Sequence, residues 1–183
     1  SSELPPTRLK PYENESQPTR QSLVLIGGDG NGYDYSEKDW YRLAFEFKNI
    51  SSTFINSKRT PKFAWQNLKE NSGSEHKHLD TENTDLELLT KNLDEHSHIF
   101  VTADSTTRIS EIISRGYFIN VIEMKGPIQY EMHHDLMKSL QEKGLLKIMR
   151  LDELHLSENK YHGNVKKFVV TERDALKSKL QKL

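Results

Sequence analysis

The apolar residues of this chain form short continuous runs separated by stripes of helical spacing. Runs rich in β-branched and aromatic residues predict strands that are buried on both faces of a parallel sheet. These runs cover residues 23–26, 53–56, 98–102, 118–122 and 145–149. The polar stretch 71–83 is compatible with one more short strand, which the pattern does not place.

Apolar stripes spaced by three and four residues lie between the strands and predict helices. The clearest stripe consists of Trp40, Leu43, Ala44 and Phe47. Ser36 precedes it as N-cap, with Asp39 in an approximate capping box. A second helix is predicted to follow Thr60 as N-cap, with Pro61 as its first residue. Three more are predicted around 86–93, over 105–115 with Gly116 as C-cap, and over 130–143. The alternation of strands and helices predicts an α/β, Rossmann-like three-layer domain with a mainly parallel sheet.

The two ends of the chain differ in composition from the middle, which places the domain at residues 22–154. Four of the six prolines lie in the first eighteen residues, so residues 1–21 are predicted to be a linker or a strap. Residues 155–183 have a net charge of +4. A weakly amphipathic terminal helix is predicted there from Ala175, Leu176, Leu180 and Leu183.

Composition and charge exclude several classes of protein. The chain has no cysteine, which excludes a disulfide scaffold, a thiol nucleophile and a thiolate zinc site. Its net charge of -1 argues against a nucleic-acid binder. With no apolar run near the ~18 residues of a membrane span and no signal-peptide pattern, we expect a cytoplasmic protein, with peripheral membrane contact left open. The chain begins with Ser rather than Met, so we expect a trimmed or partial form.

Three segments lead from a predicted strand into a predicted helix, the position at which open α/β sheets bind ligands. The first, residues 27–32, is rich in glycine. Gly27 and Gly28 allow backbone N–H groups to approach a phosphate or sugar closely. The spacing fits neither a dinucleotide fingerprint nor a P-loop, and a simple turn is the alternative.

The second segment, residues 102–111, places hydroxyl groups at a helix N-terminus directly after a strand. Ser105 and Thr106 lie where the helix dipole and free N–H groups favour a phosphate. Glu111 lies about one and a half turns further on, where its carboxylate could accept hydrogen bonds from ribose hydroxyls. The alternative is a plain N-cap followed by a solvated acid.

The third segment, residues 56–61, supplies two cations and a hydroxyl group. Lys58 and Arg59 suit a second phosphate contact, and Thr60 adds a capping hydroxyl. A solvated basic turn is the alternative.

The histidines do not have the spacing of a metal site. The candidate groups are His76 and His78 with Asp80, and His96 with His98. Neither group has zinc-like or helical spacing, so no metal is expected. His133 and His134 are expected to cover the exposed side of their helix. No second carboxylate pairs with Glu111, so general-base catalysis is not predicted within this chain.

Together, these motifs resemble a bacterial family labelled mitochondrial-fission-like and formerly predicted nucleoside-diphosphate-sugar epimerase. The resemblance runs from about Leu23 to Leu154 and rests on residues 25–28, 57–61, 101–105, 109–111 and Gly116. More distantly, the arrangement is similar to the C-terminal lobe of GT-B glycosyltransferases. The chain departs from the family's pattern at Lys58, where Arg is usual, and at residues 106–108, where small residues and Met are common.

The resemblance implies the nucleotide-sugar-binding lobe of a GT-B-type glycosyltransferase, which transfers a sugar from a nucleoside-diphosphate donor to an unknown acceptor without a metal or other cofactor. For the donor diphosphate and ribose it implies Gly27, Gly28, Lys58, Arg59, Thr60, Asp104, Ser105, Thr106 and Glu111. The acceptor site and catalytic base would come from a missing N-terminal lobe.

Two other functions compete with this hypothesis. One is a non-catalytic module on the same fold that binds protein or membrane through its surface. The other, a sugar-nucleotide epimerase, is disfavoured because the dinucleotide fingerprint and a Tyr-x-x-x-Lys pair are both lacking.

Overall fold

Six parallel strands form one sheet in the computed structural model, which describes residues 20–83, 86–125, 131–154, 165 and 168–171. The strands are β1 (Arg20–Leu25), β2 (Ser52–Ile55), β3 (Lys77–Leu79), β4 (His96–Thr102), β5 (Ile119–Glu123) and β6 (Leu146–Arg150). Their order in the sheet is β3-β2-β1-β4-β5-β6. In register, Leu23 of β1 lies opposite Thr53 of β2 and Ile99 of β4.

Five helices connect these strands. They are α1 (Glu37–Phe47), α2 (Lys62–Asn71), α3 (Leu86–Glu95), α4 (Thr106–Arg115) and α5 (Glu131–Glu142), within the described parts of the chain. Parallel strands require crossover connections, and the right-handed rule places α1 and α2 on one face of the sheet and α3, α4 and α5 on the other. The predicted α/β, Rossmann-like three-layer fold is confirmed.

The core is centred on β1 and β4, which are covered on both faces. Side chains 22–26 of β1 and the turn that follows are all buried, as a central parallel strand requires. Across one face, the ring of Phe47 packs edge-to-face on Phe54 and Phe100, with centroid distances of 5.7 and 5.2 Å. These aromatic contacts fix α1 against β2 and β4.

Several local predictions are confirmed, β1 and β4 begin earlier than predicted, and the predicted start of α2 is wrong. The Ser36 backbone N–H donates to Asp39 Oδ2 at 2.7 Å, and Gly116 ends α4 at φ 100°. The unplaced strand is β3, within the stretch 71–83. Helix α2, however, begins at Lys62 with Pro61 as N-cap, because the hydroxyl of Thr60 bonds within the preceding loop instead of capping the helix.

Most of the predicted linker and tail lies outside the described residues, as does the predicted helix at residues 175–183. Within the tail, Val165 and Val169 are buried and belong to the core cluster. None of the helices in the described residues combines the length and the apolar character needed to cross a membrane.

The packing of α1 predicts very different losses of stability when each of two phenylalanines, two residues apart, is replaced. Replacing Phe47, which is fully buried, with Ala should lower the free energy of unfolding by about 3–5 kcal/mol, because it leaves a cavity among aromatic rings. The matched change at Phe45, which is 64% exposed, should cost less than about 1 kcal/mol. Urea denaturation measures both, and equal losses would contradict the assigned buried face.

Candidate functional site

A cleft of about 610 Å³ opens at the carboxyl ends of β1 and β4. It lies where β1 leads to a helix on one face and β4 to a helix on the other, the switch point at which such sheets bind ligands. The apolar part of its lining, the apolar wall, consists of Leu25, Ile55, Leu86, Leu89 and Val101. The polar part, the polar side, includes Asn31, Ser57, Arg59, Ser105, Thr106, Thr107, Arg108 and Glu111.

The N-terminus of α4 forms the centre of the polar side. Ser105 is the N-cap residue, and its side chain makes no capping hydrogen bond. Ser105, Thr106 and Thr107 all line the cleft. Since the first N–H groups of a helix have no partner within it and the helix dipole is positive there, this end of α4 can bind an anion.

A buried carboxylate joins the three loops that surround the cleft. Asp104 is fully buried, and its Oδ2 accepts hydrogen bonds from the Gly28 backbone N–H at 2.9 Å and from Arg59 Nη2 at 2.8 Å. Arg59 Nη1 also donates to the Asp29 carbonyl at 2.9 Å. The guanidinium is therefore fixed at two points, while its half-exposed side chain lines the cleft.

Asp104 supports the site from beneath and does not line the cleft. Burial raises the pKa of its carboxyl group, and the Gly28 N–H, the Thr102 hydroxyl and the Arg59 charge offset part of this rise. Its second oxygen, Oδ1, is buried without a hydrogen-bond partner among the described residues. The sequence grouped Asp104 with the donor-binding residues, whereas the structure places it one layer behind them.

Gly27 and Gly28 are required by close packing within the protein. A Cβ atom on Gly27 would overlap Asp104 Oδ2, and one on Gly28 would overlap the carbonyl oxygen of Arg59. Gly27 lines the cleft, and Gly28 lies behind it. The absence of side chains lets β1 turn directly over the buried carboxylate.

The two predicted basic residues lie in different places. Arg59 lines the cleft, whereas Lys58 is exposed and is not among the lining residues. Thr60 also stays behind the cleft. Its hydroxyl accepts a hydrogen bond from the Ser57 N–H at 2.9 Å and donates to the Gly27 carbonyl, so it joins two loops.

Glu111 lies on the polar side, about one and a half turns beyond the N-terminus of α4. Arg108 Nη1 lies 3.3 Å from Glu111 Oε2, and both residues line the cleft. The predicted ribose-binding carboxylate is thus available to the cleft and is balanced by a neighbouring cation.

Asn31 and His133 join the loops of the site and were not among the residues predicted from the sequence. Asn31 adopts φ 50°, and its Nδ2 donates to the Asp104 carbonyl at 2.6 Å and to Thr106 Oγ1 at 3.0 Å. His133 lies within hydrogen-bond distance of Thr106 Oγ1 through Nδ1, at 2.8 Å, and of the Ala103 carbonyl through Nε2, at 2.7 Å. An Asn between glycines is a signal for a left-handed turn, while nothing in the sequence points to His133.

The expectation that His133 covers an exposed helix side is wrong. His133 is buried and only His134 is partly exposed, because the first turn of α5 packs against the turn between β4 and α4.

His78 and His96 have structural partners away from the cleft. His78 stacks on the Phe54 ring at 5.3 Å, and its Nε2 lies 3.0 Å from Ser72 Oγ. His96 contacts the Asn92 carbonyl at 2.6 Å and Thr53 Oγ1 at 3.0 Å. Over the described ranges, no three metal-ligating side chains converge.

Several solved structures are similar to this chain at low sequence identity. MurG from Acinetobacter baumannii matches with a TM-score of 0.50 and 15% identity over 92% of this chain and 51% of MurG. LpCGTa in complex with UDP matches with a TM-score of 0.44 and 10% identity, over 90% of this chain and 38% of the LpCGTa chain. YcaC from Pseudomonas aeruginosa matches with a TM-score of 0.46 and 9% identity, over 91% of this chain and 98% of the YcaC chain. This chain therefore spans about half the length of MurG.

The fold is that of a GT-B-like, Rossmann-type lobe. A family model described as Mitochondrial fission ELM1 matches residues 6–171, so the chain belongs to that family. The resemblance read from the sequence is thereby confirmed. No protein in the curated sequence comparison matches the chain.

The Arg59–Asp104 contact predicts a pH-dependent loss of stability. Arg59→Ala should raise the pKa of Asp104 further, because a cation that favours the ionised carboxylate is removed. The variant should lose about 1–3 kcal/mol of unfolding free energy near neutral pH, and less as the pH falls and Asp104 is protonated.

Lys58→Ala provides the matched control, since it removes a neighbouring cation that has no described contact with the carboxylate. Carboxyl NMR titration and urea denaturation at several pH values measure the two effects. An unchanged Asp104 titration in Arg59→Ala would show that the ion pair does not act as described.

Proposed function

We propose that this chain is the nucleotide-sugar-binding lobe of a GT-B-type glycosyltransferase. The observation that carries the proposal is the convergence of the α4 N-terminus, the fixed Arg59 guanidinium and Glu111 on one cleft beside an apolar wall. A nucleoside diphosphate combines an anionic group, a hydroxylated ring and a flat base. Each part has a matching surface in this cleft.

The diphosphate belongs at the N-terminus of α4. Free N–H groups and the Ser105 and Thr106 side chains line the cleft there, and hydrogen bonds hold the Arg59 guanidinium in place before a ligand arrives. The ribose is placed at Glu111, whose carboxylate can accept hydrogen bonds from two hydroxyl groups. The base then lies toward the apolar wall formed in part by Ile55 and Leu89.

The reaction proposed is transfer of the sugar from the diphosphate to an acceptor. The bond between the anomeric carbon and the diphosphate oxygen breaks, and its electron pair leaves with the nucleoside diphosphate. The acceptor's nucleophilic atom forms the new bond and gives up its proton to a base. Groups that are already oriented toward the diphosphate stabilise the charge that develops on it.

A second lobe completes this proposal. Donors of GT-B-type enzymes lie between two lobes, and the present chain corresponds to 51% of the MurG chain. We therefore assign the acceptor site and the catalytic base to an N-terminal lobe outside this chain.

A second candidate function is an interaction module for protein or membrane. It is favoured by exposed aromatic rings on the helix face remote from α4, namely Tyr41, Phe45 and Phe63. Ligand binding separates the two candidates, since an interaction module has no requirement for the cleft to be occupied.

Binding of a nucleotide sugar should be lost when the N-terminus of α4 is blocked. A thermal-shift panel of UDP-, ADP-, GDP- and CMP-sugars should identify a ligand that raises the melting temperature by mass action. Ser105→Phe should abolish that shift while leaving a folded domain, because its ring fills the proposed phosphate position.

Ser36→Phe is the matched control, since it places the same ring at the N-cap of α1, away from the cleft. It should retain the shift. Silence of the native chain across the panel would favour the interaction module.

Glu111→Ala should separate ribose binding from diphosphate binding. Affinity for the nucleotide sugar identified by the panel should fall about 10- to 100-fold, the effect of losing charge-assisted hydrogen bonds. Affinity for pyrophosphate should be unchanged or higher, because Arg108 loses its carboxylate partner. Calorimetric titration measures both, and parallel losses would place Glu111 elsewhere in the site.

A further inference from the structure

A buried histidine lies directly behind the polar side of the cleft. His133 is on the first turn of α5 and does not line the cleft, but its Nδ1 lies 2.8 Å from the hydroxyl oxygen of Thr106, which does. Its Nε2 lies 2.7 Å from the Ala103 carbonyl oxygen. A carbonyl oxygen can only accept, so Nε2 carries a proton.

This assignment fixes the direction of the Thr106 hydroxyl when His133 is neutral. With its single proton on Nε2, the imidazole offers a lone pair at Nδ1, and the Thr106 O–H donates to it. The Thr106 oxygen also accepts from Asn31 Nδ2 at 3.0 Å. The hydroxyl hydrogen therefore points away from the cleft, and the oxygen offers the cleft only its remaining lone pair, which repels an anion.

We propose that His133 is a positioning residue that sets whether the Thr106 hydroxyl accepts from or donates to a ligand in the cleft. When Nδ1 takes a proton from solvent, Nδ1–H donates to Thr106 Oγ1. Both lone pairs of that oxygen are then used by His133 and Asn31. The hydroxyl hydrogen is left free to donate to a phosphate oxygen at the N-terminus of α4.

The inference rests on the diphosphate position of the proposed function and assigns that position a dependence on pH. Anion binding and protonation of His133 favour each other, because the protonated state supplies a donor where the neutral state supplies a lone pair. A ligand that binds the protonated state more tightly raises the pKa of His133. Affinity is therefore highest at low pH and falls as the pH rises through that pKa.

The surroundings of His133 fix its starting state. Burial lowers the pKa of the imidazole, and His134 adds to the lowering, while the Ala103 carbonyl and the charges of Asp104 and Glu123 act in the opposite direction. The edge of the Tyr33 ring packs on the imidazole at a centroid distance of 5.6 Å. Burial is the dominant influence, so His133 is neutral near physiological pH.

The test measures binding of sulfate to the 183-residue chain, because the charge of sulfate is constant over the range used. The backbone amide signals of residues 106–108 report binding at α4 by NMR. Sulfate affinity should rise as the pH is lowered from about 8, and should level off about tenfold higher once the pH is below the pKa of His133, the effect of raising one pKa by one unit. His133→Gln should show a flat profile at the weak, high-pH level.

Two threonine variants test the relay through the hydroxyl. Thr106→Val should also give a flat profile, and Thr106→Ser should keep the slope. His134→Gln is the matched control, since it removes the neighbouring histidine and should leave the slope intact. A full slope in Thr106→Val would overturn the relay, and so would a flat profile or an absence of sulfate binding at α4 in the native chain.

Nitrogen NMR of the native chain gives a further check that needs no substitution. Neutral His133 should carry its proton on Nε2, and a proton on Nδ1 would overturn the inference. Failure of the nucleotide-sugar panel with a retained sulfate profile would instead reject the proposed function and leave the relay in place.

Discussion

The buried carboxylate of Asp104 is the contact on which the cleft depends. One oxygen holds both the backbone of the glycine loop after β1 and the guanidinium from the loop after β2, while the carbonyl of the same residue anchors Asn31. Burying this group is unfavourable because the ionised carboxylate loses its hydration, and burial raises its pKa for the same reason. The structure retains it because no apolar side chain could bind an N–H group and a cation at one point.

The fold could be predicted because its central strands are buried on both faces. A strand of this kind must be apolar at consecutive positions, and β1, β4 and β5 carry that pattern. The three-residue edge strand Lys77–Leu79 gives no such signal, since it is polar and only partly buried. The start of α2 was misplaced because Thr60 has two possible uses for its hydroxyl, and propensity alone favours the cap.

The sequence predicts which loops meet at the cleft but not which of their residues line it. The predicted residues Arg59, Ser105, Thr106 and Glu111 line one cleft because strand ends in a parallel sheet lie at one edge. Whether a residue in such a loop lines the cleft or packs inside the protein depends on hydrogen bonds between loops. These bonds hold Asp104 inside the protein, whereas its neighbour Ser105 lines the cleft. His133 lies 27 residues from its partner Thr106, and helical periodicity does not show which turn of a helix meets a distant loop.

The contacts that build the cleft also determine the stage of folding at which the cleft forms. The hydrogen bonds of Asp104 to Arg59 and Gly28 span 45 and 76 residues. Closing loops of this length costs chain entropy that only the assembled sheet compensates, and parallel pairing adds to the delay. The cleft is therefore absent from any partly folded chain in which β1, β2 and β4 have not yet paired. A ligand that fits it recognises only the completed domain.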